Sequence, residues 1–341
     1  MKKGVRLGVI LPVLLIVLAL LFAYSLVVGA AGIEISKTLQ ILFTGRVYHA
    51  TPAFSAAQHT IIWNLRLPRT LMALLVGSVL AVGGMVYQAL FRNPMADPYV
   101  LGISSGAAFG VALGAYVGFL SGATGMWEVP AAAFGGSLLA SLLIILLSGG
   151  TRRSQTTLLL TGIALNFFLS ALMTLLMYLN RSQLQAIMQW TMGSFSSGSW
   201  DKVAILAVVS LITIGPLVLY TKELDILLLN EDAALSLGVS VKKVRLILLL
   251  LSTFGISVTV AFSGVIGFVG LMVPHIFRLI TGPKHKNLLL LSLVGGPIIT
   301  LASDIIAKTA VSPSELPVGV ITALAGTPLF FILLVQYRRN R

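Results

Sequence analysis

Residues 93 to 98 read Asn-Pro-Met-Ala-Asp-Pro, and the chain is almost wholly apolar on both sides of that hinge. The span before it opens at Arg66-Leu67-Pro68-Arg69, and the span after it carries glycine at 102, 106, 110, 114 and 118. Glycine at every fourth helical position leaves a nearly side-chain-free ribbon, drifting by roughly 40° per step at about 3.6 residues per turn. Other helices can approach such a ribbon closely, which is how helices associate in lipid. A soluble helix tolerates this poorly, because each interior glycine costs about 1 kcal/mol relative to alanine. The pattern predicts packed membrane helices, two of them joined by a double-proline break.

Composition agrees with that reading. The chain has 341 residues, 57% hydrophobic and 10% charged, with mean hydropathy +1.00, far too little charge for a water-soluble surface. The absence of cysteine excludes disulfides, thiolate metal sites and cysteine nucleophiles. A membrane core needs about 20 apolar residues per helix. Runs of that kind lie near 7–29, 67–90, 99–120, 129–148, 157–179, 203–220, 244–264, 266–281, 288–307 and 317–336. The fold class expected is all-α and polytopic, with about ten spans in one transmembrane domain covering 1–341. The first run exceeds the apolar stretch of a signal peptide and is read as an uncleaved helix.

Ten spans put both termini on one side. Placing that side in the cytoplasm puts most of the 23 lysines and arginines inward, as the positive-inside rule requires. The net charge of +13 is then topological, with membrane lipid as the surroundings and no nucleic acid as partner.

Three loops stand out. The segment at about 30–60 is expected to lie across the outer surface. Residues 180–202 hold Trp190 and Trp200, which suit a short helix at headgroup level. The loop 221–243 is the most polar. In it Asn230 is a good N-cap, Glu231 and Asp232 suit a helix N-terminus, and Gly238 can close the helix. A helix of about seven residues is not stable alone in water. Its apolar face of Ala234, Leu235 and Leu237 either packs on its own bundle or docks into a soluble partner.

No catalytic constellation is visible. The histidines at 49, 59, 275 and 285 are scattered, and neither an HExxH pair nor a GxxxxGK[ST] loop occurs. His275 follows Pro274, where a lone histidine satisfies backbone groups freed by the kink. Asp304 and Lys308 stand one helical turn apart and read as a structural ion pair. A proton or ion relay would need several acids or histidines within the spans. That scarcity weighs against the alternative of an ion-coupled secondary transporter, and the missing nucleophile and base weigh against an intramembrane enzyme.

An ordered set of motifs carries a resemblance. It comprises Arg66-Leu67-Pro68-Arg69, the hinge 93–98, Leu101-Gly102-Ile103-Ser104-Ser105-Gly106-Ala107, Leu160-Thr161-Gly162-Ile163-Ala164-Leu165 and Trp190-Thr191-Met192-Gly193-Ser194-Phe195. Further on come the stretch from Asn230 to Gly238, Gly264 to His275, and Glu315-Leu316-Pro317-Val318-Gly319-Val320. Together, from about residue 60 onward, these resemble the FecCD-type permeases of ATP-binding-cassette importers for ferric siderophores, haem and cobalamin.

The resemblance implies ten helices, with spans two to five and seven to ten forming an inverted repeat. It implies a permease dimer carrying two cytoplasmic ATP-binding subunits and fed by an extracytoplasmic substrate-binding protein. This chain would bind no cofactor, ATP and Mg being used by the partner. Asn230, Glu231, Asp232, Ala233, Ala234, Leu235, Leu237 and Gly238 match the family's ATPase-coupling helix. Asn93 and Met95 match one cytoplasmic gate, and Ser154 and Gln155 the other, where the cobalamin version has a smaller hydroxyl residue in place of Gln155. Arg66 and Arg69 match outward arginines that pair with acids on the binding protein. Lys308 falls where the cobalamin permeases carry an arginine, and lysine lacks the bidentate fork. The implied activity is import by alternating access across the cytoplasmic membrane of a prokaryote.

Overall fold

The computed structural model describes residues 7–29, 31–47, 54–119, 127–148, 155–229, 231–311 and 313–339. Its helices are α1 (Leu7–Val27), α2 (Ile35–Thr44), α3 (Ala56–Thr60), α4 (Leu67–Leu90), α5 (Ile103–Tyr116) and α6 (Glu128–Leu147). They continue with α7 (Gln155–Leu179), α8 (Leu184–Thr191), α9 (Trp200–Leu219), α10 (Thr221–Leu227) and α11 (Glu231–Ser236). The last are α12 (Val241–Ser263), α13 (Val269–Thr281), α14 (His285–Thr309) and α15 (Val318–Arg339). All ten apolar runs are helical. Among the described residues seven helices are long and apolar enough to cross a membrane, while α5, α13 and the stretch Val318–Ile332 of α15 are shorter.

The second span starts earlier than its apolar run. A continuous helix runs from Ala56 to Leu90, with a π turn over Ile61–Arg66 between α3 and α4. Pro68 has no N–H to give the preceding turn. The wider turn absorbs that defect, the Leu67 N–H reaching back five residues to the Ile62 carbonyl. Arg66 and Arg69 therefore lie inside a helix, not at its mouth.

α4 is the buried axis of the bundle and packs on α9, α12, α13 and α14. Its glycines set the spacing. A methyl group on Gly77 would overlap the Gly296 backbone of α14, and one on Gly84 would overlap the Gly270 carbonyl of α13. Such approach gives dispersion contacts along the backbone, the term that holds helices together where lipid removes the hydrophobic drive.

The expected glycine ribbon is shorter than its spacing suggested. Gly106 and Gly110 of α5 do face the α6 backbone at Gly136 and Ala132. Gly102 and Gly118 instead flank the helix with φ of 74° and 76°, so they begin and end it. Left-handed backbone costs glycine nothing, and a side chain there is strained.

The packing is unchanged when α4, α5, α6 and α7 are exchanged with α12, α13, α14 and α15. Thus α4 on α14 has its counterpart in α12 on α6, and α4 on α13 in α12 on α5. The pairs α5–α6 and α13–α14 correspond, as do α5–α7 and α13–α15. α4 and α12 run antiparallel, since Tyr87 meets Thr253 at 2.7 Å while Gly83 meets Ile256. That is the pattern an inverted repeat produces. Even the starts match: Phe268 precedes α13 with φ 68°, as Gly102 precedes α5.

Candidate functional site

At the hinge end of the bundle, short polar side chains replace missing backbone partners. Asn93 Oδ1 accepts from the Met95 N–H at 2.9 Å, and Asp97 Oδ1 from the Tyr99 N–H at 2.8 Å. Asparagine and aspartate favour turns by this device. Loss of hydration pushes the Asp97 carboxyl up to about 6, against the bond from Tyr99. Gln88 Nε2 donates to the Leu271 carbonyl at 2.9 Å and Tyr99 Oη to that of Ile266 at 2.9 Å. The hinge is thereby tied to α13 on one side and to the turn leading into it on the other. His275 reaches the Pro94 backbone, so it serves the neighbouring turn rather than its own kink.

Arg92 was not singled out by sequence. It holds φ 46°, and its guanidinium donates to the Leu227 carbonyl at 2.9 Å and to that of Leu229. A cation on the last carbonyls of α10 is favourable in charge as well as geometry. Asp225, in the same helix, accepts from the His285 backbone N–H at 2.9 Å and lies 2.7 Å from Nδ1 of its ring. So α10 bridges the hinge and the start of α14. Of the expected gate residues, Asn93 and Met95 form the hinge turn. Ser154 lies outside the described residues, and Gln155 begins α7.

α11 follows directly. The Gly238 N–H bonds the Leu235 carbonyl at 2.9 Å and the Val239 N–H that of Ala234 at 3.0 Å, with Gly238 at φ 78°. These paired bonds are a Schellman closure. Asn230 lies outside the described residues, while Glu231, Asp232 and Ala233 form the first turn. Ala234 is fully buried on the bundle, whereas Leu235 and Leu237 are 61% and 60% exposed. The two alternatives for this face hold on different residues: one side packs inward and two leucines stay free.

At the opposite end of α4, Arg66, Arg69 and Lys308 come together, but none offers its charge to solvent. All three are buried. Arg66 Nη1 donates to the carbonyls of Leu26, at 2.9 Å, and Val27. Arg69 Nη1 donates to both carboxylate oxygens of Glu315 at 2.8 Å, and its Nη2 lies 2.9 Å from Asp304 Oδ1. Lys308 Nζ sits 2.9 Å from Asp304 Oδ2 and also donates to Ser25 Oγ at 3.0 Å. The expected Asp304–Lys308 pair exists as part of a larger network. The acids these cations hold belong to the same chain.

Beside this network lies a set of cavities. One of about 450 Å³ holds Arg66, Arg69, Lys308, Glu315 and Ser196 in its wall. A second of about 450 Å³ shares Ser196 and is lined further by Gln183, Gln189, Trp190, Ser194 and Phe262. A third of about 360 Å³ shares Trp190, Ser197 and Phe262 and reaches Lys202.

The model of the FecCD transport family matches residues 15–336. The chain belongs to that family. This FecCD chain is 40% identical to the hemin transport system permease protein of Yersinia pestis over 283 residues, 82% of its own length and 85% of the relative's. It is 38% identical to the vitamin B12 import system permease protein of Citrobacter koseri, over 84% and 86% of the two chains. It also superposes on a solved metal-chelate type ABC transporter in an inward-facing conformation. There the TM-score is 0.82 at 32% identity, covering 96% of this chain and 99% of that one. The FecCD chain is thus the permease component of an ABC importer for haem, cobalamin or chelated iron, and its family transports rather than catalyses. Family membership reaches further toward the N-terminus than the motifs, which begin near residue 60, because α1 carries composition rather than motif.

Proposed function

We propose that two copies of this chain form the translocation unit of an importer in a prokaryotic cytoplasmic membrane. Two ATP-binding subunits drive it, and an extracytoplasmic binding protein loads it with an iron chelate, haem or cobalamin. The hinge end faces the cytoplasm in this reading, with both termini inside. The observation that carries it is α11, a helix of six residues that with its closing turn presents Leu235 and Leu237 to solvent beside the hinge. Exposed leucines on so short a helix fit a groove on a cytoplasmic ATPase. The link Arg92–α10 then carries motion of α11 to the gate at Asn93 and Met95. A second copy would cover the exposed Phe167, Phe168 and Leu175 of α7 and Leu324, Phe331 and Ile332 of α15.

ATP in the partner shifts the balance between outward-open and inward-open dimers, alternating access by population shift. The binding protein docks at the Arg69 end, where its acids must displace Glu315 from Arg69 to reach a cation. The test is co-purification of the ATPase encoded with this chain. Replacing Leu235 and Leu237 by aspartate abolishes association while the permease still inserts. ATPase retention by that variant, or cargo uptake into vesicles driven by an ion gradient alone, would sink the reading.

A further inference from the structure

Lys202 is a buried cation without a counter-ion. Its side chain is 6% exposed, and its ammonium makes a single hydrogen bond, to the Ser197 carbonyl at 2.9 Å. It is the third residue of α9, and Ser199 caps that helix by accepting from the Lys202 N–H. A positive charge there opposes the helix dipole, which favours anions at this end. The chain holds ten acids, and among the described residues none forms an ion pair with Lys202. Asp304 and Glu315 are taken by Arg69 and Lys308. Asp201 is exposed. Burying an ammonium is costly unless a charge or several hydrogen bonds compensate it.

The missing compensation faces a cavity. The 360 Å³ space at Lys202 is walled by Val129, Pro130, Trp190 and Phe262 and merges along Trp190, Ser197 and Phe262 with its larger neighbour. That neighbour adds Gln183, Gln189, Ser194 and Ser263. An apolar passage between two aromatic rings, with an ammonium at its end and hydroxyls and amides around it, selects an anionic group on an apolar stem. We infer that this cleft receives a carboxylate-bearing arm of the transported chelate, with Lys202 as the charge partner and Trp190 and Phe262 flanking the stem. The inference rests on the transport reading above and narrows its substrate class to chelates with a free carboxylate.

The probes are hemin and its dimethyl ester, which differ only in free carboxylates, titrated against the dimer in phosphatidylcholine nanodiscs by tryptophan quenching, empty discs subtracted. Hemin is expected to bind K202M at least tenfold more weakly than the unaltered chain, with K202R within about threefold, as suits a charge-assisted bond. The ester should bind the unaltered chain as weakly as hemin binds K202M, a comparison that needs no variant to fold. Equal affinity of acid and ester, or of K202M and the unaltered chain, overturns the site. Abolition of hemin binding by phosphatidylglycerol in the discs would assign the ammonium to lipid and overturn it equally. ATP-driven uptake of hemin, ferric citrate and cyanocobalamin by the complete complex is measured alongside. Hemin uptake that is unchanged in K202M, or uptake of cyanocobalamin alone, which carries no free carboxylate, rejects the site alone, whereas no uptake of any of the three rejects the transport reading itself.

Discussion

Arg69 grips both oxygens of Glu315 at 2.8 Å and on its other side holds Asp304 at 2.9 Å. The two acids are unequal: the Glu315 side chain is 41% exposed and that of Asp304 fully buried. Replacing Arg69 by methionine leaves Asp304 with Lys308 alone, and loss of one partner from a buried pair costs about 3–5 kcal/mol. Glu315→Gln removes only the half-exposed arm, worth about 1 kcal/mol or less. Thermal unfolding in detergent should therefore show a large loss for the first and a small one for the second. If docking requires the binding protein's acids to displace Glu315, E315Q also binds that protein more tightly, most visibly at low salt.

Gly84 and Gly135 make a matched pair. A methyl on Gly84 would strike the Gly270 carbonyl, while one on Gly135 meets nothing within 4 Å. Gly84→Ala should separate α4 from α13 at a cost of about 1–3 kcal/mol or more, and lower the yield of monodisperse protein. Gly135→Ala should leave yield and melting temperature unchanged.

Arg92 combines a left-handed backbone with two bonds to the end of α10. Arg92→Gly relieves the backbone, worth roughly 1 kcal/mol, and deletes the bonds. Its expected signature is a permease that still binds the ATPase but transports about tenfold more slowly. Normal transport by R92G, measured as ATP-driven uptake in proteoliposomes, would show that coupling runs elsewhere.

The Asp97 carboxyl titrates near 6 in the folded hinge, above its usual value of about 3.9. The folded state then holds the extra proton between those values. Stability contributed by the neutral acid is complete below about 3.9 and is lost as pH rises through about 6. The melting temperature should be higher at pH 5 than at pH 7.5 by a few degrees, and Asp97→Asn should flatten that difference.

Much of the architecture was readable from composition and spacing. Ten apolar runs became ten helices because a chain in lipid must satisfy its backbone within each span. The hinge announced itself through Pro94 and Pro98, and the closure of α11 through Gly238. Helix starts were less legible. The π turn before α4 arises from Pro68, and the helix ahead of it holds the polar run Gln58-His59-Thr60, which apolarity alone discounts.

Partnership was legible only within one helical turn, as for Asp304 and Lys308. Nothing in the order of residues says that Arg69 meets Glu315, 246 positions away, or that Arg92 caps α10. The same Arg66 and Arg69 read as surface cations until folding buries them. Residue order by itself determined that this protein is a bundle of membrane helices with a proline hinge and a polar inner loop, because those properties follow from local periodicity and hydration. Only the tertiary structure decided which charges are neutralised within the chain and that Lys202 is not. Charge pairing depends on distances through space, and helices distant in sequence set those distances.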